Sequence, residues 1–306
     1  MHGVRRVSLG GGSGGDYVVV HDLGGAAGGA IGAKGTARPH EKHDLLLVHA
    51  TGLHGRVWAP LVAHLAPRLQ AGALAVDVRG HGESAPLPEG GLAWEDLAAD
   101  LLAVVDQLDL RRPLGLGHSS GASLLLLAEE LAPGTFEALY CVEPIGTAAD
   151  EPPPPNRAHP LAEGARRRRR RFSSRQEAFD TYAAKPPFSQ VTAEALWAYV
   201  DHGFADDAGE DGNGEGAGVR LRCLPEAEAD MYANGLSHHA YRDLGRVRCP
   251  VVLACGNRSA AVTSETLTGW AARMENARVE ILPGLGHFAP LQDPPAVARS
   301  VTAALP

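Results

Sequence analysis

Short runs of consecutive apolar residues, each about the length of a β-strand, alternate along this chain with segments that carry a helical pattern. A strand that is apolar at every position must be covered on both faces, which is typical of parallel strands in α/β proteins. The runs are residues 45–48, 73–76, 114–116, 138–142 and 251–254. The segments with apolar residues at spacings of three and four are 58–69, 94–108, 120–132 and 264–274.

This alternation predicts a doubly wound, mostly parallel α/β sheet with helices on both faces. Ligands of such sheets bind beyond the carboxyl ends of the strands. Two further β-branched or apolar runs, 4–9 and 17–21, predict an antiparallel hairpin at a sheet edge, joined by the glycine-rich residues 10–15. Residues 24–35, rich in glycine and alanine, predict a surface loop.

The alternation is interrupted between residues 150 and 248. The proline-rich residues 151–155 end the preceding element, and the stretches that follow look helical without a clear strand run. We therefore predict a core made of residues 1–149 and 249–306, with a helical lid at 150–248 inserted into it.

Two charged stretches of the predicted lid have simple interpretations. The six arginines at 166–171 predict a solvated lid helix with cations all round its axis. Residues 211–216 resemble the start of a calcium loop, but Arg222 stands at the twelfth position, where a bidentate glutamate is required. We therefore do not expect calcium to bind there.

Composition narrows the class of protein. The chain has 28 basic and 36 acidic residues, a formal charge of −8 that argues against a nucleic-acid partner. No apolar run approaches the ~20 residues of a membrane span, and no secretory-type apolar stretch follows the first residues, so we expect a cytoplasmic protein without a membrane partner. The 4 cysteines form no C-x-x-C pair, which predicts buried free thiols.

The pentapeptide Gly117-His118-Ser119-Ser120-Gly121 leads from an apolar run into a helical segment. In a G-x-S-x-G turn, the glycines allow a bend that larger residues forbid, and the serine hydroxyl is displayed ahead of a helix N-terminus. A plain glycine-rich turn could have the same sequence. The groups that activate a serine must therefore be found in other segments.

A nucleophilic serine needs a base, and the base needs an acid that fixes its tautomer. Among the 14 histidines, His287 follows a last predicted strand at 279–282 and precedes a final predicted helix at 293–304, which places it on a strand-end loop. We predict that His287 is the base. The side chain of His118 should point away from the serine hydroxyl and give packing or polar support, while His49 and His54 remain possible pocket residues.

The acid is less obvious from the sequence. No carboxylate follows the run that begins at Val251 until Glu265, and Ser259 stands where an aspartate might be expected. Glu143 ends the preceding apolar run, 24 residues after the serine, a spacing that fits one helix and one strand. We choose Glu143 as the acid, although such a residue could instead cap a helix or pair with Arg258.

An acyl-transfer site also needs donors for the developing oxyanion. The N–H of Ser120, directly after the candidate nucleophile, would be the first. The small-residue loop at 49–55 follows an apolar run and offers the N–H of Thr51 as the second.

Together these segments resemble the α/β-hydrolase superfamily over nearly the whole chain: the loop His49-Ala50-Thr51-Gly52, the stretch at 77–84, the serine pentapeptide, and Gly286-His287. The resemblance implies that Ser119 is the nucleophile, that His287 acts first as base and then as acid, and that Thr51 and Ser120 are the oxyanion donors. It also implies a structural role for residues 77–84. A glutamate after the earlier strand is similar to the arrangement in fungal zearalenone lactonases.

The leading hypothesis is a serine hydrolase that cleaves an ester or lactone of a small, partly apolar substrate, without a metal or other cofactor. Two alternatives stay open. The same triad serves carbon–carbon bond hydrolases and acyltransferases, and a non-catalytic small-molecule receptor can keep the pocket of this fold.

Overall fold

The computed structural model describes residues 3–9, 15–24, 44–66, 72–146, 153–156, 158–209, 217–238 and 241–306. Several sequence predictions lie outside these residues. They concern the hairpin loop at 10–14, most of the glycine- and alanine-rich loop at 24–35, the start of the proline-rich stretch at 151–152, and the calcium-like stretch at 211–216.

The described residues form eleven strands. They are β1 Val4–Ser8, β2 Tyr17–Asp22, β3 Leu45–Val48, β4 Ala73–Asp77, β5 Leu114–His118, β6 Ala138–Val142, β7 Arg171–Phe172, β8 Phe204–Asp207, β9 Gly218–Leu221, β10 Val251–Gly256 and β11 Ala277–Leu282. Eight of them make the central sheet, in the order β1-β2-β4-β3-β5-β6-β10-β11. The β1-β2 and β2-β4 pairs are antiparallel, and the other pairs of this sheet are parallel.

Ten α-helices accompany these strands in the described residues. They are α1 Ala59–Val62, α2 Trp94–Gln107, α3 Ser120–Leu131, α4 Pro160–Arg166, α5 Arg175–Ala183, α6 Ala193–Gly203, α7 Pro225–Asn234, α8 Ser264–Ala271, α9 Ala289–Gln292 and α10 Pro294–Ala304.

The inner strands β3 to β6 and β10 are almost entirely apolar because each of them packs against a hydrophobic core on both faces of the sheet. In β3, Leu45 and Leu47 face a cluster that contains residues of α1, α6 and α10. Leu46 and Val48 face the opposite cluster, with residues of α2, α3 and α8. Successive strand side chains point to opposite faces, so helices on both sides require apolar residues at every position. The predicted α/β architecture and the edge hairpin are confirmed.

The segment between β6 and β10 differs from the predicted all-helical insertion. It contains α4 to α7, but also a separate three-stranded antiparallel sheet in the order β7-β9-β8. These strands have only 2, 4 and 4 residues. Runs this short carry too little alternation for the sequence to reveal them. The limits of the lid, 150–248, stay a prediction.

The prediction of one solvated helix over the arginine run is wrong. Helix α4 ends at Arg166, and Arg171 begins β7, so four arginines lie in the connection between them. Arginine itself favours helix, but a run of arginines has no apolar face to pack against the core, and such packing supplies most of the stability of a helix in a protein. Arg168 is largely buried, with a side chain 17% exposed, instead of solvated.

All four cysteines are buried and free, as predicted. Across the described ranges, no helix combines the length and apolar character that a membrane crossing requires.

Asp77, at the end of β4, holds several loops together near the carboxyl edge of the sheet. Its carboxylate accepts hydrogen bonds from His21 Nε2 at 2.8 Å, from the Gly55 N–H at 2.7 Å and from the Glu83 N–H at 2.8 Å. A Cβ on Gly82 would collide with this carboxylate, so only glycine fits there. Burial raises the pKa of Asp77, but the hydrogen bond from His21 and the neighbouring histidines outweigh it, and the net pKa is lowered.

We expect Asp77→Asn to lower the free energy of unfolding by about 2–4 kcal/mol, because an amide NH2 would face a backbone donor in a buried site. The folded-state pKa of Asp77 lies below the unfolded value, so the carboxylate stabilises the fold above the unfolded pKa, and this contribution is lost as the pH falls. Denaturant unfolding should therefore lose less stability between about pH 5 and about pH 3 in the variant than in the wild type. Equal acid sensitivity of the two proteins would contradict this role.

Candidate active site

Ser119 occupies a sharp turn between the end of β5 and the start of α3. Its backbone has φ 54° and ψ −120°, a conformation that L-residues rarely adopt. A Cβ on Gly117 would collide with the backbone of Ala122, and one on Gly121 with the carbonyl oxygen of Val48. Both flanking glycines are therefore required by close backbone approach, and the turn displays the serine at the strand end.

Three side chains predicted to act together form one hydrogen-bonded chain. The Ser119 hydroxyl lies 3.1 Å from His287 Nε2, and His287 Nδ1 lies 3.1 Å from Glu143 Oε2. The His287 side chain is 26% exposed, while that of Glu143 is fully buried. With a proton on Nδ1 shared with the carboxylate, Nε2 is free to accept the serine proton.

Glu143 follows β6 directly and has a φ of 53°. Its Oε1 accepts the Gly256 N–H at 2.7 Å, and its Oε2 accepts the Ser259 hydroxyl at 2.5 Å as well as the His287 contact. The carboxylate is thus buried with a donor on each oxygen. The sequence alone does not identify the donors Gly256 and Ser259. Gly256 ends β10 and Ser259 follows it, and this strand is distant in sequence but lies beside β6 in the sheet.

Ser259 stands at the position where an aspartate was expected, and its hydroxyl holds the Glu143 carboxylate instead. We expect Ser259→Ala to lower kcat about 10-fold, because a hydrogen bond to a buried carboxylate is lost while the Gly256 and His287 contacts remain. The pH dependence of kcat should shift as well, because Oε2 loses a competing donor and its interaction with His287 changes. The matched control is Ser264→Ala, at an exposed position. A wild-type kcat and pH profile in Ser259→Ala would show that the hydroxyl does not position Glu143.

The two residues predicted to supply oxyanion donors meet at the start of α3. The Thr51 hydroxyl donates to Ser120 Oγ at 3.1 Å, which ties the loop after β3 to the turn at Ser119. Ser120 is the first residue of α3, so its N–H has no acceptor within the helix. The positive end of the helix also favours negative charge at this point.

The other histidines near the site are bound to the backbone. His118 Nε2 donates to the His287 carbonyl oxygen at 2.7 Å, and burial lowers the pKa of His118 to about 3. His49 Nε2 accepts a hydrogen bond from the Val78 N–H, and burial lowers the pKa of His49 to about 3. His54 Nε2 donates to the Tyr199 carbonyl oxygen, and burial lowers its pKa to about 4. These rings are neutral supports, and neither His49 nor His54 is among the residues that line the cavity.

A cavity of about 1030 Å³ opens onto Ser119, His287 and Thr51. Much of its wall is apolar. The large apolar residues that line it are Leu53, Ile145, Leu161, Phe172, Phe188, Leu236 and Phe288.

One side of the same cavity is polar. Arg168 donates through Nη1 to Glu228, and through Nη2 to the hydroxyls of Tyr182 at 2.9 Å and Tyr199 at 2.6 Å. A Cβ on Gly52 would lie 2.7 Å from Glu228 Oε1, so this carboxylate rests against the loop that carries Thr51. Over the residues with described placement, no three His, Cys, Asp or Glu side chains are grouped as metal ligands.

This fold and this arrangement of serine, histidine and acid at the strand ends define a class of protein. A family model described as the alpha/beta hydrolase family matches residues 45–300, and the chain belongs to that family.

Three curated relatives show what the chain is similar to. The dihydrolipoyllysine-residue acetyltransferase component of an acetoin cleaving system from Pseudomonas putida is 27% identical over 262 residues, 85% of this chain and 63% of that protein. Protein phosphatase methylesterase 1 of Mus musculus is 34% identical over 111 residues, 35% of this chain and 29% of the relative. The pimeloyl-(acyl-carrier protein) methyl ester esterase of Methylococcus capsulatus is 32% identical over 96 residues, 31% and 35% of the two chains. The chain thus spans less than two thirds of each relative.

Solved structures agree on the fold. The crystal structure of an E-2-(acetamidomethylene)succinate hydrolase matches with a TM-score of 0.75 at 21% identity, and covers 100% of this chain and 99% of that one. The thioesterase domain from the curacin biosynthetic pathway matches with a TM-score of 0.70 at 18% identity, over 98% and 99% of the two chains.

Proposed function

We propose that this chain is a serine hydrolase that cleaves an ester or lactone of a small, partly apolar substrate through an acyl-Ser119 intermediate. The observation that carries the proposal is the continuous chain from Ser119 Oγ through His287 to the buried Glu143. It lies at a cavity large enough for a small molecule.

In the first half of the reaction, Ser119 Oγ attacks the substrate carbonyl carbon while its proton passes to His287 Nε2. The carbonyl oxygen becomes an oxyanion that the N–H groups of Thr51 and Ser120 stabilise. When the tetrahedral intermediate collapses, the bond to the alkoxy group breaks, and His287 gives its proton to the leaving alcohol. The products are the free alcohol and an ester between the acyl group and Ser119.

In the second half, water attacks the acyl carbon and His287 takes one of its protons. The bond to Ser119 Oγ then breaks, and the same proton returns to the serine. The acid is released, and the enzyme regains its starting protonation. Throughout, Glu143 holds the His287 tautomer and stabilises the imidazolium that forms twice per turnover.

Ester substrates are supported by two kinds of observation. Much of the cavity wall near Ser119 is apolar, which suits an aliphatic or aromatic acyl group. Two of the relatives are named as a methylesterase and a methyl ester esterase, although their matches cover about a third of this chain.

The test is covalent labelling with a fluorophosphonate, followed by peptide mapping. The proposal predicts one adduct, on Ser119, and labelling that is strongly slowed in His287→Ala because the serine loses its base. Turnover of simple esters would then be followed by release of acid. A folded protein that forms no adduct and turns over no ester would instead favour a non-catalytic receptor.

A further inference from the structure

Most of the charged residues that line the cavity are positive. Four are cations, namely Arg167, Arg168, Arg169 and Lys185, and only Glu228 among the described lining residues is an acid. This is unexpected in a chain whose formal charge is −8. The excess of positive charge is therefore local to the cavity.

Two of these cations are already partnered. Arg168 donates to Glu228 and to two tyrosine hydroxyls. Arg169 lies 2.7 Å from Glu177 Oε1, and its guanidinium covers the Phe172 ring at 4.4 Å. Their charges are balanced within the protein.

Arg167 and Lys185 differ, since neither forms an ion pair with a carboxylate in the parts of the chain that the structure describes. Arg167 immediately follows α4, and Lys185 lies shortly after α5, and both side chains are exposed. They therefore bring two unpaired positive charges to the wall of a cavity that also contains the Ser119 hydroxyl. A concave, largely apolar wall concentrates the field of such charges and attracts ligands of opposite sign.

We infer that the substrate carries an anionic group, a carboxylate or a phosphate, in the part that does not react, and that Arg167 and Lys185 bind it. This inference rests on the proposed esterase function, which supplies the reacting end at Ser119. The apolar wall contributed by Leu161 and Phe188 would hold the intervening carbon chain.

The first test compares pairs of esters or thioesters with the same acyl carbon chain length, in which one member carries a distant negative charge and the other is neutral. Monomethyl adipate and monomethyl sebacate are compared with methyl hexanoate and methyl decanoate, and hexanoyl-coenzyme A is compared with the neutral N-acetylcysteamine thioester of hexanoate. We expect a higher kcat/KM for the anionic member of at least one pair, and the responding pair identifies carboxylate or phosphate. The preference should shrink between about 0.1 M and about 1 M salt, where the Debye length falls from about 10 Å to about 3 Å.

The double variant Arg167→Gln/Lys185→Gln should lower the anionic-to-neutral ratio of kcat/KM about 5- to 20-fold, since each exposed ion pair contributes up to about fivefold. Its kcat/KM for neutral esters should change little. The matched control, Arg111→Gln/Arg299→Gln, removes two exposed cations that do not line the cavity. Thermal unfolding of both double variants shows whether the folds are intact. No anionic preference in the wild type, or equal ratios in the two double variants, would overturn the inference.

A binding measurement separates this inference from the proposed function. The measurement uses Ser119→Ala, because binding can be followed without turnover. Calorimetry should detect binding of adipate or free coenzyme A but not of hexanol. This binding should weaken when Arg167 and Lys185 are also replaced. If the protein binds these anions but the wild type forms no fluorophosphonate adduct, the proposed esterase function is wrong and the inferred anion site stands. Ester turnover without any such binding or preference would do the reverse.

Discussion

Ser119→Ala is expected to lower kcat for any ester substrate by about 10⁵- to 10⁶-fold and to abolish the fluorophosphonate adduct, because no other group can form the acyl-enzyme. What remains should be the small rate enhancement that the oxyanion donors and the cavity give to attack by water. Residual activity of a purified variant is measured as acid release at high enzyme concentration, and adduct formation is followed by intact-mass analysis.

Two controls make this experiment specific, a second serine variant and a measurement of the fold of Ser119→Ala. Ser264→Ala removes an exposed hydroxyl and should leave turnover and labelling unchanged. Thermal unfolding of Ser119→Ala should show an intact fold, and relief of the strained serine conformation is not expected because alanine keeps the same φ and ψ. Turnover within tenfold of the wild type, or an adduct on another residue, would remove Ser119 from the mechanism.

The sequence predicts the inner strands of the central sheet well, because β3 to β6 and β10 are buried at every position and so are almost entirely apolar. Leu45 to Val48 must satisfy two cores at once, and the run contains only leucine and valine. The small sheet of the insertion leaves no such pattern. Strand β8 contains two aspartates, and β7 has two residues that pair with β9. Its formation depends on contacts between distant segments, which local sequence does not encode.

Some parts of the site can likewise be predicted from the sequence, and others cannot. Ser119 lies in a local motif, and His287 and Glu143 each lie where a strand ends, so the parallel topology alone predicts that they lie at one edge. The donors to Glu143 depend on sheet order instead. The Glu143 N–H donates to the Ala254 carbonyl oxygen at 2.7 Å, so the ends of β6 and β10 lie side by side. An acid after either strand would therefore reach nearly the same place, which explains how a serine at 259 and a glutamate at 143 can coexist.

Buried polar groups at a distance from the motif were the hardest to predict. Arg168 looks in the sequence like one member of a solvated run, yet its guanidinium meets Glu228 and two tyrosines from three other elements. Only the folded insertion brings these residues together. The sequence of six arginines does not distinguish the buried one from its exposed neighbours.

Glu143→Gln is expected to lower kcat by about 10³- to 10⁴-fold without unfolding the protein, because it reverses the His287 tautomer. In the wild type, the Gly256 N–H donates to Glu143 Oε1, and Oε2 contacts His287 Nδ1. In the variant, the glutamine oxygen must take the place of Oε1 to accept the Gly256 N–H. The amide NH2 then takes the place of Oε2 and faces His287 Nδ1. An NH2 donor requires Nδ1 to be an acceptor, so the imidazole proton moves to Nε2. The ring can then no longer accept the proton of Ser119, and both acylation and fluorophosphonate labelling become slow.

Glu265→Gln is the matched control, because Glu265 is the first carboxylate after β10 in the sequence and is therefore the alternative candidate for the acid. Glu265 lies in the first turn of α8, and its side chain is exposed. We expect kcat and labelling of Glu265→Gln to equal those of the wild type. The two variants thus give opposite results for the two candidate acids, and wild-type turnover in Glu143→Gln would show that His287 is oriented by another group.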